Sequence, residues 1–144
     1  MARNNANNES ACTARFGYVS AYDQEKHMAK ITFPDKDDLV SGWLPIAVRN
    51  SLKNHDEHHL DIGEHVFCIM QGNGLESGCV LCAIYDEKNK PPVHNQDERA
   101  ITYDDGTTII YNRKDKKLTI NCVGDIEIHA DKNIKFTAER IDLN

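Results

Sequence analysis

The chain has 144 residues, of which 40% are hydrophobic and 28% charged, and its formal net charge is −6. This length fits one ordinary domain, or a small domain with an appendage. The acidic balance argues against a nucleic-acid partner, which normally meets clustered Lys and Arg, and no stretch approaches the roughly 18 apolar residues of a membrane span. An odd number of cysteines, five, and a start without the apolar core of a signal peptide predict synthesis in a reducing cytoplasm.

Residues 1–14 are polar and predict a flexible tail. Residues 15–87 then hold strand-like runs separated by turn chemistry, and a polar stretch at 49–63 predicts a loop. Five short strands without a long helix are typical of a small barrel of the OB kind, with Trp43 and Phe67 as its anchors. An SH3-like barrel or a small sandwich fits the same pattern. The five runs are 16–22, 28–33, 42–48, 64–71 and 79–85.

A change of composition follows the fifth run. Residues 88–100 contain two adjacent prolines among polar residues, which predicts a stiff linker that cannot join a sheet as a central strand. Beyond it, Asp105-Gly106 lies between apolar alternating residues, which is a strong β-hairpin signal. Residues 101–144 are therefore predicted to form a separate unit that begins with this hairpin.

The end of the chain repeats an alternating pattern every eight residues. Apolar residues at period two predict strands with one apolar face, and each group of three is followed by a polar or glycine-containing corner. The nine residues of the repeat, which we call the octad row, are Leu118, Ile120, Cys122, Ile126, Ile128, Ala130, Ile134, Phe136 and Ala138.

The octad row needs cover that one chain does not readily supply. A lone strand gains neither apolar burial nor ladder hydrogen bonds, and a single-chain solenoid of this length makes only about one coil, fewer than the roughly three repeats of a stable stack. Three identical chains wound together close a triangle with the row on its axis and corners at Gly124 or Asn133. The pattern thus predicts an intertwined trimeric β-helix, a triangular prism; an antiparallel hairpin packed on the barrel is the alternative.

The order of these features resembles the phage baseplate assembly protein V family, the central spike of contractile tails and tailocins, and more remotely the spike of type VI secretion. The motifs that carry the resemblance are Trp43-Leu44-Pro45, Gly63-Glu64-His65-Val66, Gly78 to Tyr85 before the Pro-Pro linker, and Asp105-Gly106 with Ile109-Ile110-Tyr111. The resemblance covers nearly the whole chain from residue 15. It implies an all-β protein with an OB-fold collar at 15–87 followed by a trimeric β-helical needle under the tail tube.

This resemblance also implies partners and a place of action. The partners are two other copies of the chain, tail hub or tube proteins, the baseplate and a bacterial envelope. The place of action is a virion or tailocin particle. Many family members close the needle tip with a His-x-His pair around iron, whereas this needle has only His129, at the parity opposite to the octad row. Ile141 and Leu143 change parity, which leads us to expect a blunt end where a separate PAAR-like tip protein docks.

Enzymatic and metal chemistry are weakly indicated. The stretch from His55 to His65 contains histidines and carboxylates that suit zinc, but it lacks the zincin pattern and reads as a solvated loop; a metal-binding protein using this loop, or an OB-fold binding module, is the alternative function. Cys79 and Cys82 form a CxxC, yet residues three apart on a strand face opposite sides, which favours two buried structural thiols. We therefore expect no catalytic residue, no metal and no cofactor.

Overall fold

The computed structural model describes residues 11–72, 74–92 and 95–143. The chain is all-β, with antiparallel sheets, 41% strand and 2% helix. It divides into two compact units, Met1–Pro91 and Pro92–Asn144, here the N-terminal and C-terminal units, and the division falls within the predicted linker. No helix among the described residues is long and apolar enough to cross a membrane.

The N-terminal unit is built on one six-stranded sheet with the order β3-β2-β1-β5-β6, with β4 pairing to β2. The predicted runs at 28–33, 64–71 and 79–85 closely match β2, β5 and β6. A 3-10 turn at Pro34–Lys36 follows β2. The strands are β1 (Cys12–Asp23), β2 (Met28–Phe33), β3 (Leu39–Val40), β4 (Leu44–Pro45), β5 (His65–Gln71) and β6 (Gly78–Ala83).

Two boundaries differ from the predictions. Strand β1 begins at Cys12, so the last residues of the predicted tail pair with β5, while residues 1–10 of that tail lie outside the described residues. The predicted strand at 42–48 is reduced to Leu44–Pro45, because Pro45 has no N–H with which to extend a ladder.

A closed barrel, expected for residues 15–87, is not observed. Strand β3 has two residues, β4 has two, and residues 49–63 form the predicted loop without a named strand. Backbone contacts between the β4 and β6 regions are sparse: an isolated parallel bridge joins Ile46 and Val80, the Ala47 N–H donates to the Val80 carbonyl, and the Gly42 N–H donates to the Leu75 carbonyl. The sheet therefore has too little edge strand to close on itself.

The core of the N-terminal unit lies on one face of this sheet. Alternation places Val66, Cys68 and Met70 of β5 inward, and Leu60 carries the long loop into the same core. Arg15 also points inward, where its guanidinium pairs with Asp35 beside the 3-10 turn. The core residues are Val19, Ala29, Ile31, Phe33, Leu44, Ile46, Leu60, Val66, Cys68, Met70 and Val80.

The expected barrel anchors are not core residues. Trp43 is 41% exposed, with the Lys30 ammonium 5.2 Å from its ring centroid. Phe67 lies on the outer face of β5, because its register partner is the exposed Phe16 rather than an inward residue of β1. The expectation that these two side chains anchor the interior was wrong, since both are on the side of the sheet away from the core or at its margin.

The C-terminal unit contains a three-stranded antiparallel sheet: β7 (Glu98–Thr102), β8 (Thr108–Asn112) and β9 (Lys117–Asn121). The hairpin predicted at Asp105-Gly106 is confirmed. The Asp105 carboxylate accepts the N–H of Thr107 at 2.8 Å, and Gly106 has a φ of +89°, the left-handed region that favours glycine. Strand β7 begins at Glu98, inside the predicted linker.

Gly17 allows β1 to lie close to β2, which gives a test of the N-terminal unit. A Cβ at this position would lie 2.5 Å from the Ile31 side chain and 2.6 Å from the Thr32 carbonyl oxygen. We predict that Gly17→Ala lowers the free energy of unfolding by about 1–3 kcal/mol, because the backbone of β2 has to shift. Urea denaturation followed by the fluorescence of Trp43, the single tryptophan, measures the change.

Gly74→Ala is the matched control, since the nearest atom to a Cβ at position 74 is 4.0 Å away. Equal stability of the two variants would contradict the close approach.

Candidate assembly interface

The octad row is exposed on the single chain. Leu118 and Ile120, on β9, are 61% and 55% exposed, and Phe136, far along the row, is 68% exposed. Of the nine residues of the row, only Cys122 is partly buried, with its thiol 3.4 Å from the carbonyl oxygen of Asp125. Large apolar side chains exposed in series indicate a surface that another molecule covers.

The backbone of most of this row also lacks strand partners. The first repeat forms β9, which pairs with β8. From Cys122 to Leu143 the structure assigns no strand and no helix, and no strand pairing involves these described residues. The segment thus leaves both its apolar side chains and its backbone without the partners that a β-strand requires.

The structure places other apolar residues on the same face as the start of the row. Antiparallel register pairs Ile109 with both Ile101 and Ile120, and it pairs Tyr111 with Leu118. Directly paired residues lie on the same face of a sheet. We call Ile101, Ile109, Tyr111, Leu118 and Ile120 the hairpin face. The sequence did not group the members on β7 and β8 with the octad row, because only the register, and no repeat in the sequence, places them on its face.

The two candidate tip-docking residues are also exposed. Ile141 is 53% and Leu143 is 91% exposed, and Arg140 between them and the octads pairs with Asp142 at 2.7 Å. His129 is exposed too and lies 3.4 Å from a Glu127 carboxylate oxygen. All three of these side chains are therefore on the surface of the single chain.

The histidines of the 55–65 stretch do not gather into one site. His58 and His59 lie beside His27 of the β1–β2 turn, with ring centroids 6.1 and 6.0 Å from that of His27. The Tyr22 hydroxyl is 2.5 Å from the Nδ1 atom of His59 and 3.2 Å from that of His27. Burial, followed by the nearby Glu57 and Asp23 carboxylates, raises the pKa of Tyr22. No group of three or more His, Cys, Asp or Glu side chains in the described part of the chain has the arrangement of a metal site.

His65 lies apart from that cluster. Its ring stacks on Tyr18 with centroids 4.7 Å apart, and its Nδ1 atom is 3.8 Å from an Asp86 carboxylate oxygen. An open cavity of about 470 Å³ adjoins it, lined by Asp61, Ile62, Gly63, Glu64, His65, Ala83, Ile84, Tyr85 and Asn89. Hydrogen bonds from the backbone N–H groups of Asn89 and Lys88 lower the pKa of Asp86, with a smaller effect from His65. The lining residues include two carboxylates, Asp61 and Glu64, but no Ser and no Cys.

The CxxC motif departs from its predicted geometry. A bulge in β6 pairs Cys79 with Ile69 and Cys82 with Phe67, and those two partners share the outer face of β5. Cys79 is partly buried and Cys82 is exposed, so the expectation of two buried thiols was wrong. The extra residue of a bulge reverses the alternation that a regular strand would impose. Cys68, by contrast, is buried.

The outer face of β1 and β5 carries a cluster of rings that the sequence did not single out. Phe16 is 55% exposed, and its ring centroid is 5.1 Å from that of Phe67 and 6.0 Å from that of His65. Strand β5 buries its inward side chains, whereas those on its outer face are partly exposed. This outer face is a second exposed apolar surface, on the N-terminal unit.

The structure thus defines an all-β chain with two units and an exposed apolar face on the second. Comparison of the chain with protein-family models and with curated proteins finds no match to either.

The thiols provide a test of these environments. Burial raises the pKa of Cys68 to about 12, with smaller effects from Cys79 and Cys82. Because the thiolate is the reactive form, we predict that iodoacetamide at pH 8 modifies the exposed Cys12 and Cys82 of the folded protein but not Cys68. Mass spectrometry of the digested protein reads each site. Modification of Cys68 at the rate of Cys12 would contradict its burial, and urea-unfolded protein is the positive control.

Asp86 provides a pH test. A carboxylate whose folded pKa is lowered stabilises the fold above its ordinary pKa, near 3.8, and loses that contribution as the pH falls through the folded value. We predict that Asp86→Asn is less stable than the wild type at pH 7 and that the difference shrinks as the pH falls below 3.8. Urea denaturation at several pH values measures it, with Glu87→Gln as the neighbouring control. A difference that is the same at pH 7 and pH 2.5 would rule out this role.

Proposed function

We propose that the chain is the central spike of a contractile phage tail or tailocin, and that it functions as a homotrimer. The observation that carries the proposal is the octad row, which keeps one parity over three repeats and is uncovered on the single chain. Three chains wound about one axis would bury the row and pair the backbone at the same time. This is the solution that the eight-residue period favours.

The N-terminal unit supports the proposal as a collar. Its short antiparallel strands and single core are compatible with an open OB-type fold, and its motifs occur in the order found in baseplate assembly protein V spikes. In this role the N-terminal unit connects the tail hub or tube above to the needle below. The position of the division, at the Pro-Pro step, suits a connector between collar and needle.

The proposed mechanism is mechanical. Sheath contraction drives the tube toward a bacterial envelope, and the needle transmits the force at its leading end. Intertwined chains suit this task because no strand leaves the prism without breaking many ladder hydrogen bonds together, which gives high kinetic stability. The proposal requires no catalytic residue and no nucleic-acid partner.

The needle end completes the assembly. In the proposed spike, exposed Ile141 and Leu143 of three chains form an apolar platform for a separate PAAR-like tip protein.

The first test is the mass of the assembly. We predict a trimer of three times the 16.3 kDa chain by light scattering. We further predict that Ile128→Asp abolishes the trimer, because three carboxylates meet on a dry axis, while the N-terminal unit stays folded by Trp43 fluorescence.

His129→Asp is the matched control, since it places the same charge one residue away at the opposite parity. Trimers from Ile128→Asp as stable as those from His129→Asp would refute the assigned face, and a monomeric wild type would refute the proposal as a whole.

A further inference from the structure

The C-terminal sheet has two faces of different character. One is the hairpin face, whose members Ile101, Tyr111, Leu118 and Ile120 are 45–61% exposed. The other face carries mainly threonines, asparagines and small or charged residues, with Ile110 as its one large apolar side chain. A sheet that is apolar on one face has to bury that face against another layer. Within the described part of the C-terminal unit, no second layer is present.

The hairpin face is continuous with the octad row. Leu118 and Ile120 belong to both, and the even-numbered parity of β9 continues through Cys122 to Ile126 and Ile128 without a change. A partner that covers the octad row therefore also covers the part of the hairpin face formed by Leu118 and Ile120. Arg99 marks the outer limit of this face. It is an exposed residue of β7, the strand farthest from β9, and it pairs with Tyr111 of β8.

From this continuity we infer that the hairpin face is the base of the trimer interface, and that its occupant is the same face of two further copies of this chain. The inference rests on the proposed trimer and adds to it an intrachain sheet that had no assigned role. Strand β9 lies nearest the axis, β8 follows with Ile109 and Tyr111, and β7 leaves Arg99 at the rim, in contact with water. The needle thus begins as three preformed sheets packed together and continues as single strands.

Two adjacent residues of β8 test the inference. Ile109 lies on the hairpin face, whereas Ile110 pairs with Ala100 and Thr119 on the opposite face. Ile109→Asp and Ile110→Asp place the same charge in the middle of the same strand and weaken its β-propensity equally. We expect Ile109→Asp to be monomeric and Ile110→Asp to remain trimeric by light scattering of the full chain.

A second pair of variants distinguishes loss of the trimer contact from unfolding of the sheet. Ile109→Thr and Ile110→Thr keep a β-branched residue, and thermal dissociation of the trimer is compared between them. If both aspartate variants are monomers, a larger loss of trimer stability in Ile109→Thr than in Ile110→Thr supports the inference, and equal losses overturn it.

The remaining outcomes separate the inference from the proposed function. A monomeric wild type would refute both the inference and the proposed function. A trimeric wild type in which Ile109→Asp and Ile110→Asp are trimers of equal thermal stability overturns the inference alone. A trimeric Ile109→Asp whose N-terminal unit has become less stable in urea also overturns it, because the occupant is then the chain's own first unit.

Discussion

A row of alternating apolar side chains imposes two requirements, cover for the side chains and hydrogen-bond partners for the backbone. Between Cys122 and Leu143 the described chain forms no strand pairing, and its large apolar side chains are exposed. The segment cannot obtain them by collapsing on itself, because its corners recur every eight residues and one chain provides too few of them to stack. Identical neighbours answer both requirements with one geometry, since each copy is a strand for the other two and a wall of the same interior. The oligomeric proposal, the mechanical role and the part given to the hairpin face all depend on this requirement.

The two units differ in how far one chain buries their apolar side chains and pairs their backbone. The N-terminal unit closes eleven apolar side chains into one core, and even its inward-facing cation, Arg15, has a carboxylate partner in Asp35. This unit therefore has a complete hydrophobic core within one chain. The C-terminal unit has an amphipathic sheet and an unpaired tail, and most of its large apolar side chains are exposed. The N-terminal unit thus covers its own apolar face, whereas the C-terminal unit leaves an apolar face exposed.

Local signals in the sequence predicted the elements that local chemistry determines. The run at Met28–Phe33 and the Asp105-Gly106 turn were predicted where they occur, because alternation and turn residues act over a few positions. Three features were not predictable in this way: the orientation of Phe67, the shared face of Cys79 and Cys82, and the position of Ile109 on the same sheet face as Ile101 and Ile120. Each depends on which residue of a distant strand stands opposite, and a bulge such as that in β6 shifts the pairing by one residue without leaving a mark in the composition. The absence of a closed barrel has a similar origin, since it follows from how few residues pair at the edges.

The turns of the C-terminal sheet are short: five residues join β7 to β8 and four join β8 to β9. In the second of these turns the Asn112 side chain accepts the N–H groups of Lys114 and Asp115, and Lys116 takes a left-handed conformation. Contacts this close in sequence cost little chain entropy and form quickly. Each copy thus pairs these three strands through contacts that are close in sequence. Three matching sheets would then fix the stagger of the chains at the first encounter, so that winding runs in one direction, from the collar outward, and a strand that is slipped by one repeat has no place to start.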